Sequence, residues 1–457
     1  MKYRRVIMVE KKLTWKQLVL VASLIFGMFF GAGNLIFPIQ LGQLSGGNWL
    51  PATIGFLITG TVVPFLAMMA VSLTNSQSVY DIAKPVAPWF GTVFLVAIHL
   101  TIGPFFGTPR TAATAFSMGI APFVPLRYQG VVMFVFSAVF FGLAYFLTVK
   151  ESGLLKWVGK YLNPLFLGLL LVVLVLSLVL PMGDTHQAVS AAYQSNAAFQ
   201  GILDGYNTMD GIALLALAVS VVYAVRGLGF QKQQVSKVLA KAGLLSILAE
   251  AVLYAVLVLV GTTSLGLFKA SDNGGAAFAQ IVSHYMGNFG TALTGVIVTL
   301  AVFTTAMGLF VSFAQDLHRV FPKVSYLWWL RVIAFGSFVT ANAGLTNIVA
   351  WSVPVLMLLY PFALVLILLS LFSKYFKKSP VVYRFVVASV TVPAFLDALA
   401  SSPLATTSHV QSLVNGYHHF VPFAALGFGW VVPAVVGTVL GVSGYLLTNS
   451  KRVTALD

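Results

Sequence analysis

Residues 27–38 read Gly27-Met28-Phe29-Phe30-Gly31-Ala32-Gly33-Asn34-Leu35-Ile36-Phe37-Pro38. This run decides the fold, because it lies in the middle of an apolar segment, about 15–44, long enough to cross a bilayer. A helix rises about 1.5 Å per residue and must cover roughly 30 Å of hydrocarbon, so one crossing takes about 20 residues. Glycines and asparagine at mid-membrane depth are poor helix formers. Bare backbone persists there only beside protein or a water-filled cavity. Two half-helices flanking a break would aim free N–H and C=O groups at the gap, donors suiting a carboxylate and carbonyls a sodium ion. The glycines also allow a plainer reading: Gly27 and Gly31 stand four apart, a spacing that lets two helices pack closely. Asn34 and Pro38 add to the case for unwinding without deciding it. A nucleotide loop is excluded, since no GxGxxG is present and no strand precedes the glycines.

A second stretch has the same character. Asp204-Gly205-Tyr206-Asn207-Thr208-Met209-Asp210-Gly211 sits directly before the apolar run Ile212 to Val225. It reads either as an outside loop with a helix cap or as a second interrupted helix. The offset from the first stretch favours interruption: the two fall in the first and sixth apolar segments, which an inverted five-plus-five repeat brings together at the midplane.

The composition agrees with a lipid solvent. Among 457 residues, 59% are apolar and only 8% charged, against roughly 25% charged in a soluble domain. So few charges cannot cover the surface of a soluble enzyme of this length. There are no cysteines, which excludes disulfides, thiolate metal sites and cysteine nucleophiles. The seven histidines, His99, His186, His284, His318, His409, His418 and His419, show no ligand spacing, so no transition-metal site is expected. The net charge of +15 suggests nucleic acid only until the charges are located.

Twelve apolar segments are expected at about 15–44, 49–74, 88–120, 129–149, 159–181, 197–226, 243–266, 290–315, 326–342, 346–372, 381–397 and 422–447. They are too long and too uniformly apolar for barrel strands. The N-terminal segment is also too long for a signal-peptide core and is expected to stay as a span. With the N-terminus inside, all but three of the 26 Lys and Arg fall on the cytoplasmic side. The exceptions are Arg127 and Lys269 outside and Arg110 within a span. Such a bias predicts that both termini are cytoplasmic. The longer outside segments, 182–196, 267–289 and 398–421, are expected to be polar loops.

The residues also carry a resemblance. Gly31 to Pro38, followed by Gly46-Gly47-Asn48-Trp49 and Gly55-Phe56, resembles the first-repeat signature of the bacterial branched-chain amino acid:cation symporters. Gly103-Pro104 with Pro109-Arg110-Thr111-Ala112-Ala113-Thr114, and Gly205 to Asp210, match the same family, and the likeness runs from about Leu13 to the last span. The family belongs to the amino acid/polyamine/cation superfamily and is similar to the leucine transporter fold. The resemblance implies an all-α polytopic membrane protein of the bacterial cytoplasmic membrane with twelve helices. After a cytoplasmic segment 1–13 would come a first five-helix repeat 14–182, an inverted repeat 183–372, two further helices in 373–448 and a cytoplasmic tail 449–457. The implied substrate site comprises Gly31, Ala32 and Gly33, whose N–H groups face the substrate carboxylate, with Asn207, Thr208 and Met209. A first sodium site would use the Phe29 carbonyl, Asn34 and Thr208. A second would use the carbonyls of Gly27 and Phe30 with Ala301, Thr304 and Thr305. The i, i+3, i+4 spacing of those last three stacks a carbonyl and two hydroxyls on one helix face, although such threonines also bond back to their own helix. The chain departs from the leucine transporter pattern in two places. Span 7 carries Glu250 in place of an amide, and span 3 reads His99-Leu100-Thr101-Ile102-Gly103-Pro104 without the tyrosine over the carboxylate.

Three ionisable groups, Arg110, Asp210 and Glu250, lie deep in the spans. A charge at mid-membrane costs at least about 2.5–3.5 kcal/mol, so each needs a partner or water. Arg110 could pair with Asp210 or Glu250 as a gate or helix brace. Asp210 could instead bind a cation or the substrate ammonium, Glu250 could carry a proton, and a purely structural pairing serves equally. The sequence therefore predicts a symporter importing Leu, Ile and Val with Na⁺ or H⁺ by alternating access, without a cofactor beyond that ion. Its partners are the amino acid, the cation and lipid, with no nucleic acid and no obligate protein partner. A symporter of another neutral amino acid is the nearest alternative and a passive channel a more distant one. An enzyme would need a catalytic cluster that the chain lacks.

Overall fold

The structure, a computed structural model, describes residues 13–149 and 154–453. The expected N-terminal segment 1–13, apart from Leu13, lies outside the described residues, as do Lys150 and the last four residues of the expected tail 449–457.

Apolar helices account for the described chain. The first expected span is two helices, α1 (Trp15–Phe29) and α2 (Ala32–Ser45). Thr14 starts α1 with a capping box: its hydroxyl accepts from Gln17 N at 3.3 Å, and the Gln17 side chain accepts from Thr14 N at 3.2 Å. The coil ends with Phe30 N donating to Phe26 O. Phe30 and Gly31 are then extended, Gly31 at φ −113°, ψ −164°. The break thus falls at Phe30–Gly31. Pro38 lies inside α2, where its missing N–H spares the Asn34 carbonyl a helical bond.

The second span is α3 (Trp49–Leu57), a π turn over 58–62, and α4 (Val63–Thr74). After α5 (Val79–Ala83), the third runs as α6 (Pro88–Leu100), a π turn over 101–105, and α7 (Gly107–Gly119). Pro104 withholds a donor there, and Gly103 leaves helical geometry at ψ −118°. Spans four and five are α8 (Leu126–Val149) and α9 (Leu154–Val179). The sixth is broken again, into α10 (Ala197–Tyr206) and α11 (Asp210–Gly227). Next come α12 (Lys232–Ser264), α13 (Gly274–Val320), α14 (Tyr326–Ala341), α15 (Leu345–Leu371), α16 (Pro380–Ala400), α17 (Ser408–Phe420) and α18 (Val431–Val453).

Nine stretches among the described residues are long and apolar enough to cross a membrane, and three shorter apolar helices, Trp15–Gly27, Leu167–Val179 and Tyr326–Ala341, add to them. This is an all-helical, multi-pass membrane protein. Two expected polar loops are helical instead. Residues 274–286 form the first part of α13, which Gly287 redirects at φ 62° before the eighth span. Segment 398–421 contains α17, whose Val414 and Tyr417 are buried while the Tyr417 hydroxyl donates to Asp397 Oδ1 at 2.8 Å. The last span starts nine residues later than expected, because left-handed Phe423 and Gly427 turn the chain before Val431.

The two broken spans are clasped by glycine. Span 1 packs along α12, and α10 packs along α3. A Cβ at Gly42 would stand 2.1 Å from Val258 O, and one at Gly261 2.2 Å from Ile39 O. Likewise, one at Gly201 would stand 2.1 Å from Ala52 O and one at Gly55 1.9 Å from Ala198 O. Backbone therefore touches backbone at both interfaces, which no other residue permits. Span 1 thus lies along span 7, and span 6 along span 2.

Candidate functional site

The two breaks face each other. After α10, N–H groups of Asn207, Thr208 and Met209 bond three residues back, to Asp204, Gly205 and Tyr206. Met209 is left-handed at φ 63°, and α11 then starts at Asp210. A Cβ on Gly33 would stand 3.5 Å from Thr208 O, so the breaks are in near contact. Tyr206 stacks on Tyr360 with ring centroids 4.0 Å apart, which pins the end of α10 against α15.

A cavity opens between the breaks. Gly31, Ala32 and Gly33 line one side and Thr208, Met209 and Asp210 the other; Arg110, Thr111 and Thr305 add polar surface, and Ile102, Ala213, Leu217 and Leu309 an apolar wall. Ala32 and Gly33 open α2, where N–H groups have no carbonyl one turn back and the helix dipole favours an anion. The site thus offers donors and an oily wall within one chamber.

Not every expected residue reaches this cavity. Asn207 does not line it; its carbonyl accepts from Arg110 Nη1 at 2.6 Å, and Arg110 does line it. Gly27, Phe29, Phe30, Ala301 and Thr304 do not line it, and the Thr304 hydroxyl bonds back to Ala301 O at 2.7 Å. Thr305 does line it, on the side of Gly31. Glu250 lies behind it, fully buried on α12.

The expected pairing of Arg110 with Asp210 or Glu250 is not what the structure holds. Arg110 donates to Asn207 O and to Ser352 Oγ on α15, and its guanidinium lies 5.1 Å from the Phe37 ring centre. The kink at Gly103-Pro104 is the reason: it restarts the helix at Gly107, which places Arg110 in the first turn of α7. His99 Nε2 and Asp316 Oδ2 meet in a hydrogen bond of 2.8 Å.

The carboxylates instead share neutral donors. Asn34 Oδ1 accepts from Gly31 N at 2.9 Å, so the Asn34 side chain stabilises the break. Its Nδ2 is 2.5 Å from Asp210 Oδ2 and 3.4 Å from Glu250 Oε1, and also reaches the Tyr254 hydroxyl. Tyr254 donates to Glu250 Oε1 at 2.9 Å. Sequence reasoning missed Tyr254, although its place four residues after Glu250 puts both on one helix face. Nothing in the sequence signals Ser352. A second cavity between α11 and α13 is lined by Gln77, Ser220, Ser312, Asp316 and Arg319, and Leu217 borders both chambers.

Facing helix breaks around a central chamber, inside a shell of apolar helices, define a transporter fold. Among solved structures, a similar one is Mhp1, a nucleobase-cation-symport-1 family transporter in a closed conformation, with a TM-score of 0.60 and 13% identity over 95% of this chain and 93% of that one. The Eremococcus coleocola manganese transporter aligns with a TM-score of 0.58 and 12% identity over 96% of this chain and 98% of that one. The family itself comes from sequence. The chain matches the branched-chain amino acid transport protein family over residues 14–447 and belongs to it. It is 36% identical to the branched-chain amino acid permease BrnQ of Lactobacillus delbrueckii subsp. lactis, over 97% of this chain and 100% of that protein. It is 34% identical to BrnQ of Bacillus subtilis, over 98% and 100%. The branched-chain amino acid transport system 2 carrier protein of Pseudomonas aeruginosa is 33% identical, over 93% and 95%. The family is one of transporters, not of enzymes.

Proposed function

We propose that the chain imports Leu, Ile and Val by alternating access, driven by a Na⁺ or H⁺ gradient. The observation that supports this best is the chamber itself: first-turn donors at Ala32 and Gly33 opposite the apolar wall of Ile102, Ala213, Leu217 and Leu309. The carboxylate of the amino acid binds the α2 N-terminus, its ammonium the carbonyls of the 207–209 break, and its alkyl group the wall. An apolar wall separates neighbours differing by one methylene by only about 1–3 kcal/mol. The three branched substrates are therefore shared, and alanine is weaker. The relatives' names point to the same substrates.

For the cation, candidate ligands are Thr305 with the carbonyls of Gly27, Phe30 and Ala301, and the acids Asp210 and Glu250. The protein sits in the bacterial cytoplasmic membrane with both termini inside, and 14–182 and 183–372 are its two repeats. The test is uptake of labelled leucine into proteoliposomes under an inward Na⁺ or H⁺ gradient, with unlabelled Ile, Val and Ala as competitors. Accumulation blocked by Ile and Val but weakly by Ala is the expected result. No accumulation under either gradient overturns the reading.

A further inference from the structure

We propose that Asp210 and Glu250 form one proton-binding site that exchanges a single proton in each transport cycle. This rests on the symporter reading and names its coupling site. The two acids come from different helices, α11 and α12, and converge on the same donors. Asn34, Asp210, Glu250 and Tyr254 are 2, 6, 0 and 0% exposed. Every group found facing the acids is neutral: the Asn34 amide from α2, the Thr208 hydroxyl, which accepts from Asp210 N, and Tyr254 from α12. The Tyr360 hydroxyl of α15 lies beside Gly211, 3.4 Å from where its Cβ would stand, and adds a further neutral group next to Asp210. Arg110 of α7 lines the same chamber as Asp210, and its Nη atoms donate to Asn207 O and Ser352 Oγ rather than to the acids.

Two buried carboxylates with only neutral donors repel, and a proton between them removes one of the two charges. Glu250 Oε2 is buried with no hydrogen-bond partner, an unused oxygen for that proton. Asn34 joins the two acids to the first break. Its carbonyl oxygen is taken by Gly31 N–H and its NH₂ faces the acids.

The pair is placed to couple. Asp210 lines the chamber, so a proton reaches it from the water that carries the substrate, and Glu250 is sealed behind it. Asn34 belongs to both the acid cluster and the Gly31 cap, so the charge on the acids acts directly on the break that receives the amino acid. Proton gain forms one O–H bond and takes the pair from two negative charges to one. Release on the far side reverses this, and one positive charge crosses with each neutral zwitterion.

The test uses the full chain in proteoliposomes, with leucine accumulation under an acid-outside gradient without Na⁺, and leucine counterflow measured across pH. The wild type accumulates leucine and its counterflow varies with pH. In Glu250→Gln, accumulation falls by about tenfold or more, equivalent to at least 1.4 kcal/mol, and the remaining counterflow is flat with pH. Accumulation by Glu250→Gln at the wild-type level overturns the proposal, as does a wild type driven by Na⁺ and indifferent to the pH gradient. If Glu250→Gln exchanges no leucine, Tyr254→Phe decides. It keeps both acids and removes a donor to the charged form, so the midpoint of the pH profile rises, and an unmoved midpoint overturns the assignment. A wild type without any leucine counterflow refutes the substrate reading instead, and is thereby told apart.

Discussion

The Asn34 amide and the Asp210 carboxylate meet at 2.5 Å although 176 positions separate them in the chain. Through this contact the first break touches the second, and Asn34 also caps Gly31 from its other end. Asn34→Ala removes both functions at once. A hydrogen bond to a charged group contributes about 1.5–3 kcal/mol, so leucine uptake falls at least tenfold. Asn34→Asp fails equally, because it brings a third acid to the pair. Initial uptake rates of the two variants check this.

Arg110→Lys keeps the charge but loses the planar fork that reaches Asn207 O and Ser352 Oγ together. Transport falls by about tenfold while the protein remains folded. Ser352→Ala, which removes one of the two partners, has a smaller effect in the same direction. Uptake kinetics and melting in detergent separate the two.

The clasped glycines give a stability prediction. Gly201→Ala forces a methyl group to within 2.1 Å of Ala52 O and destabilises by about 1–3 kcal/mol. Gly130→Ala, inside α8 where a Cβ meets nothing within 4 Å, stabilises by about 0.5–1 kcal/mol. Thermal unfolding in detergent distinguishes them.

The sequence holds no cysteine, so single cysteines report on access without background. Ser312→Cys lies in the second cavity. It reacts with a membrane-impermeant thiol reagent in inside-out vesicles and not in right-side-out ones, and Leu217→Trp, between the two chambers, slows leucine release. Labelling from the outer face would reverse the proposed orientation.

Adjacent threonines make a paired test. Thr305→Ala alters the chamber and weakens leucine uptake several-fold. Thr304→Ala changes only a bond back to Ala301 and stays within about twofold, near the median effect of substitutions away from a site. Uptake at limiting leucine measures both.

Much of this architecture could be read from local chemistry. Glycine and asparagine inside apolar runs marked both breaks, because no other residues give way so readily within lipid. The breaks themselves, at Phe30–Gly31 and 207–209, fall where those residues cluster. The partners of the buried charges were not legible in the same way. Arg110 finds an oxygen 97 positions away and a hydroxyl 242 away, and Glu250 finds an amide 216 away. Opposite charges suggested an ion pair, and tertiary placement gave each group neutral partners instead. The helices at 274–286 and 408–420 were hidden for another reason: short amphipathic segments at a membrane surface look like polar loops until a neighbour covers one face.

The glycine clasps have a mechanical consequence. With Gly42 seated on α12 and Gly201 on α3, neither broken span can slide without dragging the helix it is seated on. Arg110 stands on α7, outside both clasped pairs, yet holds the carbonyl of Asn207 at the second break. Under the proposed alternating access, a tilt that parts α7 from the second break must first stretch that latch.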